Sequence, residues 1–424
     1  MRIPGGTDGR RMLAVTFVDK AGSGLWGATS ALYFTFVAGL GAAEIGLLVG
    51  LSGAIGIAGP PLGGLLADRV PLRPLLAVVQ VVRAAASFAL LTTTDLRLLL
   101  AVAAVGSLAD RASAVLTKLY ATRVAGEERS HYQAVNRTVS NVGWAVGGLV
   151  AASALTTGTT AVYRWLLAGD AFSFVLAAVL VLRCAEPPSP TRAVAQNTGS
   201  TGDAHSTGGP QGAEHAKAAT PWHDRRYLAY TASEAVLSLD DSVFKIGLPL
   251  WTVTATAAPH QVVPLLLVLN NVLVVCFQVP FARFGSTVRA ARNALLPLGA
   301  VFLTGGAAFA ASAVGTPWIA VAALVLAATA FTVAEMLHAT ISWELSVALA
   351  PPAAQGAYLG VHGLAQAVQR SAGPLAMTCA IAAGPMGWLA LGAGLAATCQ
   401  GQRHLVRDRG RTTLSVPTVT LSEH

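Results

Sequence analysis

The sequence is poor in charge. Asp, Glu, Lys and Arg make up 11% of its 424 residues, against about 25% in an ordinary soluble chain. With 54% hydrophobic residues and a mean hydropathy of +0.59, such a chain would aggregate in water, which excludes a soluble globular protein and makes the lipid bilayer its first partner. Cysteine is scarce too. Cys184, Cys276, Cys379 and Cys399 are dispersed without metal-site spacing, so four free thiols, no metal and no cofactor are expected. There is no Gly-x-x-x-x-Gly-Lys-Ser/Thr loop, which argues against direct use of ATP. Neither a His-Glu-x-x-His pair nor a Ser/His/Asp set at a common depth is present, so an enzyme is not expected.

What is present is a succession of apolar runs, each long enough to cross about 30 Å at about 1.5 Å per residue. They give about twelve helices, over 12–38, 43–67, 74–93, 97–121, 131–155, 160–183, 227–256, 260–282, 294–313, 317–344, 355–382 and 385–402. The net charge of +8 would suit a nucleic acid, but the basic residues fall in alternate loops, which excludes that partner. Arg2, Arg10, Arg11, Arg69, Arg73, Arg123, Arg129, Arg183, Arg192, Lys217, Arg225, Arg226, Arg283, Arg289, Arg292, Arg403, Arg407, Arg409 and Arg411 share one side; Arg97 and Arg164 take the other. The positive-inside rule then predicts a multi-pass protein of the cell membrane with both termini cytoplasmic. The first apolar run is too long for a cleavable signal peptide and lacks its small-residue cleavage site.

Residues 185–224, with Pro187-Pro188-Ser-Pro190 and Gly/Ser/Thr tracts, cannot bury a core and read as a disordered cytoplasmic linker. The expected organisation is a six-helix bundle over 1–184, the linker, a second six-helix bundle over 225–402 and a cytoplasmic tail over 403–424. Weak echoes support two related halves: Phe17-Val-Asp19 before Trp26 parallels Leu239-Asp240-Asp241 before Trp251. Parallel halves of this kind suit transporters that rock around a midplane site.

Between the second and third spans lies Gly64-Leu-Leu-Ala-Asp68-Arg69-Val-Pro-Leu-Arg73. It resembles the loop motif Gly-x-x-x-Asp-Arg-x-Gly-Arg-Arg/Lys of the major facilitator superfamily. Gly64, Asp68, Arg69 and Arg73 match, while Pro71 and Leu72 replace the usual Gly and Arg. Ala125-Gly-Glu-Glu-Arg129 is similar to the family's loop after the fourth helix, and Asn141-Val-Gly143-Trp-Ala-Val-Gly147-Gly148 to its antiporter signature without the proline. The usual arginine early in the fourth helix is also missing. Asp170-Ala-Phe-Ser-Phe174, Gly247-Leu-Pro-Leu-Trp251 and Val274-Val-Cys-Phe-Gln278 are similar to segments of an actinobacterial, efflux-like branch. The resemblance implies an all-α polytopic fold of two pseudo-symmetric six-helix bundles, with helices one, four, seven and ten lining the cavity. It also implies a gating loop of Gly64, Asp68, Arg69 and Arg73, whose Asp68 meets the start of the eleventh helix near Gln355-Gly356.

Ionisable groups are costly within the hydrocarbon and face a cavity or a partner. Asp19, Ser23, Trp26 and Ser30 form a stripe on the first helix, and Glu234, Ser238, Asp241 and Lys245 repeat it on the seventh. Asp19, Asp241, Glu234, Asp110 and Glu335 are the candidate coupling acids, Asp19 and Asp241 first, because a proton carrier needs a desolvated carboxylate with a departing partner. Asp19 and Glu234 have no same-face base one turn away. Asp110 with Arg111, and Asp241 with Lys245, read equally as structural pairs, and Glu335 with His338 as a weaker coupling pair. Trp26, Arg111, Arg137, Asn141, Trp144, Lys245, Trp251, Asn270, Asn271, His338, Gln366 and Arg370 are the candidate cavity residues. The function expected is export of a small amphipathic molecule driven by proton entry, through a pathway that one chain, as a monomer, completes. Proton-coupled uptake of a polar nutrient, with Asn270, Asn271, Gln366 and Gln369 as its recognition set, is the alternative, and a non-transporting receptor or scaffold the alternative of another class.

Overall fold

The computed structural model describes residues 3–156, 159–188 and 220–412. Most of the 185–224 linker, with Arg192 and Lys217, lies outside the described residues, as do Arg2 and the last part of the tail. The described residues contain helices and turns and no strand. In chain order the helices are α1 (Gly6–Phe36), α2 (Ala42–Gly56), α3 (Gly59–Arg69), α4 (Leu72–Leu90), α5 (Leu96–Ala125), α6 (Arg129–Leu155) and α7 (Thr160–Leu182). After the linker come α8 (Arg225–Leu237), the short α9 (Asp240–Ser242), α10 (Leu248–Ala255), α11 (Val262–Phe281), α12 (Val288–Ala311), α13 (Pro317–Ala348), α14 (Gln355–Ala382) and α15 (Pro385–Thr412). Among the described residues seven helical stretches are long and apolar enough to cross a membrane by length and composition.

Three spans depart from the sequence expectation. The second divides into α2 and α3 just before Gly59-Pro60-Pro61, because two prolines in succession leave the carbonyls of Gly56 and Ile57 without their helical donors. The seventh is interrupted twice: α8 stops at Leu237, and a π turn over Val243–Gly247 separates α9 from α10. Pro249, in the first turn of α10, denies the Lys245 carbonyl its donor, and the wider turn takes up the mismatch. The twelfth continues as α15 to Thr412 rather than ending near 402, no proline occurring before Pro417.

The halves repeat one packing scheme. α1 lies on α6 as α8 lies on α14, and α4 lies on α7 as α12 lies on α15. The cross-half contacts are paired as well, α3 against α14 and α6 against α11. At the α1–α6 crossing a Cβ on Gly147 would overlap the Ala21 carbonyl, so close approach of the two backbones requires glycine there. The second half is centred on Trp251, Phe302, Phe309, Phe331 and Trp388, with Phe309 stacked on Trp388 at 4.0 Å. In the first half Met12, Leu116, Tyr120 and Val181 pack at one end and Tyr33, Phe34, Leu99 and Leu167 at the other.

Candidate functional site

The end of the bundle at which α3 finishes and α14 starts is sealed. Asp68 accepts hydrogen bonds from the backbone N–H groups of Gly356 at 2.9 Å and Ala357 at 2.7 Å. These are donors that a helix N-terminus leaves without an intrahelical partner, at the positive end of the helix dipole. A Cβ on Gly64 would lie 2.9 Å from the Cα of Gly360, so a side chain here would push α3 off α14. Arg73 donates from its guanidinium to the Leu182 carbonyl and from its backbone to Glu186, while Arg69 is exposed.

Further toward mid-depth, cations of the first half engage acids of the second. Arg129 at the start of α6 makes a two-pronged pair with Glu344 of α13, at 2.8 and 2.7 Å. Arg137, two turns along, pairs with Glu335, whose other oxygen accepts from Asn270 at 2.9 Å. Lys118 of α5 donates to Ser346 at 2.7 Å. Arg111, buried, reaches toward the Ala367 carbonyl of α14 at 3.4 Å. Arg370 approaches Asp110 at 3.8 Å, both side chains about half exposed, so they border the space between the halves.

Inside the first half Arg83 of α4 is the hub. It pairs with Asp19 of α1, holds Asp110 of α5 at 2.8 Å and its own-helix Gln80 at 2.8 Å, and lies 3.9 Å over the Phe174 ring. Asp19, with no base one turn away on its own helix face, has its main partner on another helix, with Lys20 at 3.2 Å. One expectation is corrected here. Asp110 pairs with Arg83 rather than Arg111, because adjacent residues on a helix point about 100° apart. Asp170 is 2% exposed and accepts from Ser87 at 3.1 Å.

In the second half Asp241 and Lys245 pair at 2.6 Å one turn apart. Glu234 is buried and accepts from Ser342 and from Gln402 at 2.5 Å. His338 does not pair with Glu335. Its ring stands 3.0 Å from Asp240 and 3.4 Å from Glu234, while Glu335 turns toward Arg137. Trp251 is no cavity residue. It is 1% exposed, its indole N–H donates to Ser312 at 2.9 Å, and its ring meets Trp388 edge-on. Trp26 packs edge-on against Tyr33 and Phe34, Trp144 is half exposed and lies across Gly27, and Asn141 is half-buried. Asn271 donates to the Leu267 carbonyl of its own helix at 2.9 Å, Gln366 is exposed, and Gln369 donates to Ser242 at 2.7 Å. Sequence reasoning placed Arg83, Asp170, Asp240, Lys118, Arg129, Glu344 and Gln402 outside the site. A usable signal existed for Arg129, which ends the segment Ala125-Gly-Glu-Glu-Arg129 that resembles the family's loop after the fourth helix. Among the described residues no group of three His, Cys, Asp or Glu side chains is placed to hold a metal ion.

Comparison with known proteins agrees with this architecture. The sequence model of the Major Facilitator Superfamily matches residues 12–374. The proton:xylose symporter XylE, bound to 6-bromo-6-deoxy-D-glucose, superposes with a TM-score of 0.67 at 14% identity, over 94% of this chain and 96% of that one. FucP in its outward conformation gives 0.69 at 12% identity, over 96% and 99%. A bacterial homologue of the iron transporter ferroportin, in an outward-facing state with soaked iron, gives 0.67 at 14% identity, over 97% and 100%. No curated protein sequence matches the chain significantly. With the family matched over most of its length on an all-α, multi-pass membrane fold, the chain belongs to the major facilitator superfamily of transporters.

Proposed function

We propose that this transporter exports a small amphipathic molecule in exchange for protons. The observation that carries the reading is the Arg137–Glu335 pair, which joins the two halves near mid-depth. Opening the Asp68 end must separate α6 from α13 and so break that pair, whereas Asp19–Arg83 lies within one half and Asp241–Lys245 within one helix. A proton reaching Glu335 competes with Arg137 and releases the lock. Once the Asp68 end has opened, the substrate displaces that proton, and the bare carboxylate draws Arg137 back. The cycle moves protons one way and substrate the other. Glu335 therefore takes precedence over Asp19 and Asp241 as coupling acid.

The Arg-rich loops gather at the Asp68 end, which makes that end cytoplasmic, with both termini on the same side and the membrane that of the cell. The cross-half pairs described above then correspond to an outward-facing state. Uptake of a polar nutrient through the amide set is less well supported, since Asn270 and Gln369 already donate to protein partners. Each half supplies one wall of the pathway, so a monomer suffices.

The test is proton flux in everted membrane vesicles with an acidified lumen. Addition of tetraphenylphosphonium, followed by a panel of amphipathic antibiotics, should raise lumenal pH with the wild type. Glu335→Gln should abolish the rise and Asp241→Asn should reduce it less. A full response in Glu335→Gln removes that residue from the coupling path, and silence of the wild type across the panel removes the export reading.

A further inference from the structure

A second buried polar cluster, nearer the Asp68 end, has no part in the cycle just described. Glu234 of α8 and Asp240 of α9 supply two negative charges, 1% and 5% exposed. His338 of α13 sits between them, Nδ1 3.0 Å from Asp240 and Nε2 3.4 Å from Glu234, so an imidazolium there balances one carboxylate. The second positive charge comes from the other half of the molecule. Lys118 of α5 reaches in to Ser346 and lies 4.9 Å from the centroid of the Trp343 ring. The remaining ionisable groups around the cluster are Tyr230 of α8 with Tyr227 packed on it, His362 of α14 and the buried Cys399 of α15, while Gln402 of α15 donates to Glu234 as a neutral amide. Glu344, nearer the sealed end of α13 than His338, is already held by Arg129.

His362 is the group with spare capacity. It is 7% exposed and stacked on Tyr230, with ring centroids 5.7 Å apart and planes 10° from parallel. Its Nε2 lies 3.4 Å from the hydroxyl of Ser342, and that hydroxyl already donates its one proton to Glu234. Nε2 must therefore carry the hydrogen and donate, which leaves Nδ1 as a lone-pair acceptor. That atom is buried and has no hydrogen-bond partner.

We infer that His362 is a proton-binding site which Lys118 keeps empty while the Asp68 end is closed and which fills when the halves part there. The inference rests on the alternating-access reading above. Two cations beside the same carboxylates repel each other in a low-dielectric interior, so Lys118 and a protonated His362 exclude one another. Lys118 belongs to α5 and leaves with the first half as that end opens. The cluster then holds two carboxylates against one imidazolium, and a proton on Nδ1 of His362 restores neutrality. The bond formed is N–H at Nδ1, with the proton drawn from water admitted by the opening. Since only the open state binds this proton well, acidity on the Asp68 side holds that end open and slows the return of the carrier. This is a throttle on the side where transported protons are released, distinct from the coupling acid.

The population of the open Asp68 end can be read from spin labels at Glu127→Cys and Arg226→Cys. Both sites are exposed, and they lie in opposite halves at that end. The protein is held in lipid nanodiscs, with the exposed Cys276 and Cys379 replaced by serine. Between about pH 8 and about pH 6 the wild-type distance distribution should shift toward the separated form, His362 contributing up to about tenfold per pH unit, the limit for one proton. His362→Gln and Lys118→Met should each remove that contribution, the first by deleting the acceptor and the second by deleting the group that distinguishes the two states. A His362→Gln response as steep as the wild type overturns the inference, as does a wild type whose distances ignore pH. Because no substrate is needed, failure of proton exchange in the vesicle assay would refute the export reading while leaving this result standing, and the reverse also holds.

Discussion

At Arg83 three helices share one guanidinium. Asp19 and Asp110 take its two ends and the Phe174 ring covers its face, with 4% of the side chain exposed. Replacing it by leucine leaves two carboxylates facing each other in the membrane interior, and breaking a buried pair from one side costs about 3–5 kcal/mol. Arg83→Leu should therefore lower the melting temperature in detergent more than Asp19→Asn does. Arg83→Lys should recover only part of the loss, since an ammonium cannot bridge both acids with a planar fork. A Lys variant as stable as the wild type would show that charge alone matters at this position. None of this pairing was legible in the sequence. Faces of one helix follow from a period of about 3.6 residues, which is why Asp241–Lys245 could be read, but partners on different helices depend on packing angles that no single sequence displays. The same limit hid Glu335's partner and sent Trp251 to the cavity, because periodicity marks a polar stripe without saying which neighbour covers it.

Elements were easier to read than their interruptions. Length and hydropathy located the spans, yet the Gly59-Pro60-Pro61 break and the π turn at Val243–Gly247 went unseen, since an apolar run looks the same whether its backbone is continuous or bent. The contact between α3 and the N-terminus of α14 was implied by the family motif and is explained by physics: a carboxylate meets two free N–H groups, and glycines on both helices let the backbones approach. Asp68→Ala should remove a cap interaction of about 0.5–2 kcal/mol. It should raise the maleimide labelling rate of Ser130→Cys, a buried site between the halves at that end, by about 2–30-fold. Asp68→Asn keeps an acceptor and loses the charge, so it should fall between. An unchanged rate in Asp68→Ala would mean that the packing of Gly64 on Gly356 and Gly360 closes this end without the cap.

At the scale of the whole molecule the sealed end has a polarity that neither half shows alone. Arg129, Arg137 and Lys118 come from the first half, and Glu344, Glu335 and the Glu234–Asp240 cluster from the second. The positive-inside pattern conceals this arrangement, because it counts loop charges by side and says nothing about which half of the chain supplies them. A complementary interface between two similar halves also disfavours slippage, as Arg129 and Arg137 each meet a carboxylate opposite. The Arg129–Glu344 pair tests the idea most directly, two guanidinium nitrogens and both carboxylate oxygens being engaged at 2.8 and 2.7 Å. Arg129→Glu sets two carboxylates against each other where a bidentate pair stood, and the loss of about 3–5 kcal/mol should shift the closed end toward open by at least about tenfold. Adding Glu344→Arg restores opposite charges across the same gap, so the double variant should return to within a few-fold of the parent in the Ser130→Cys labelling rate. If it labels as fast as Arg129→Glu alone, the two residues do not act through each other, and closure must be assigned to Asp68 and the glycine contacts of α3 and α14.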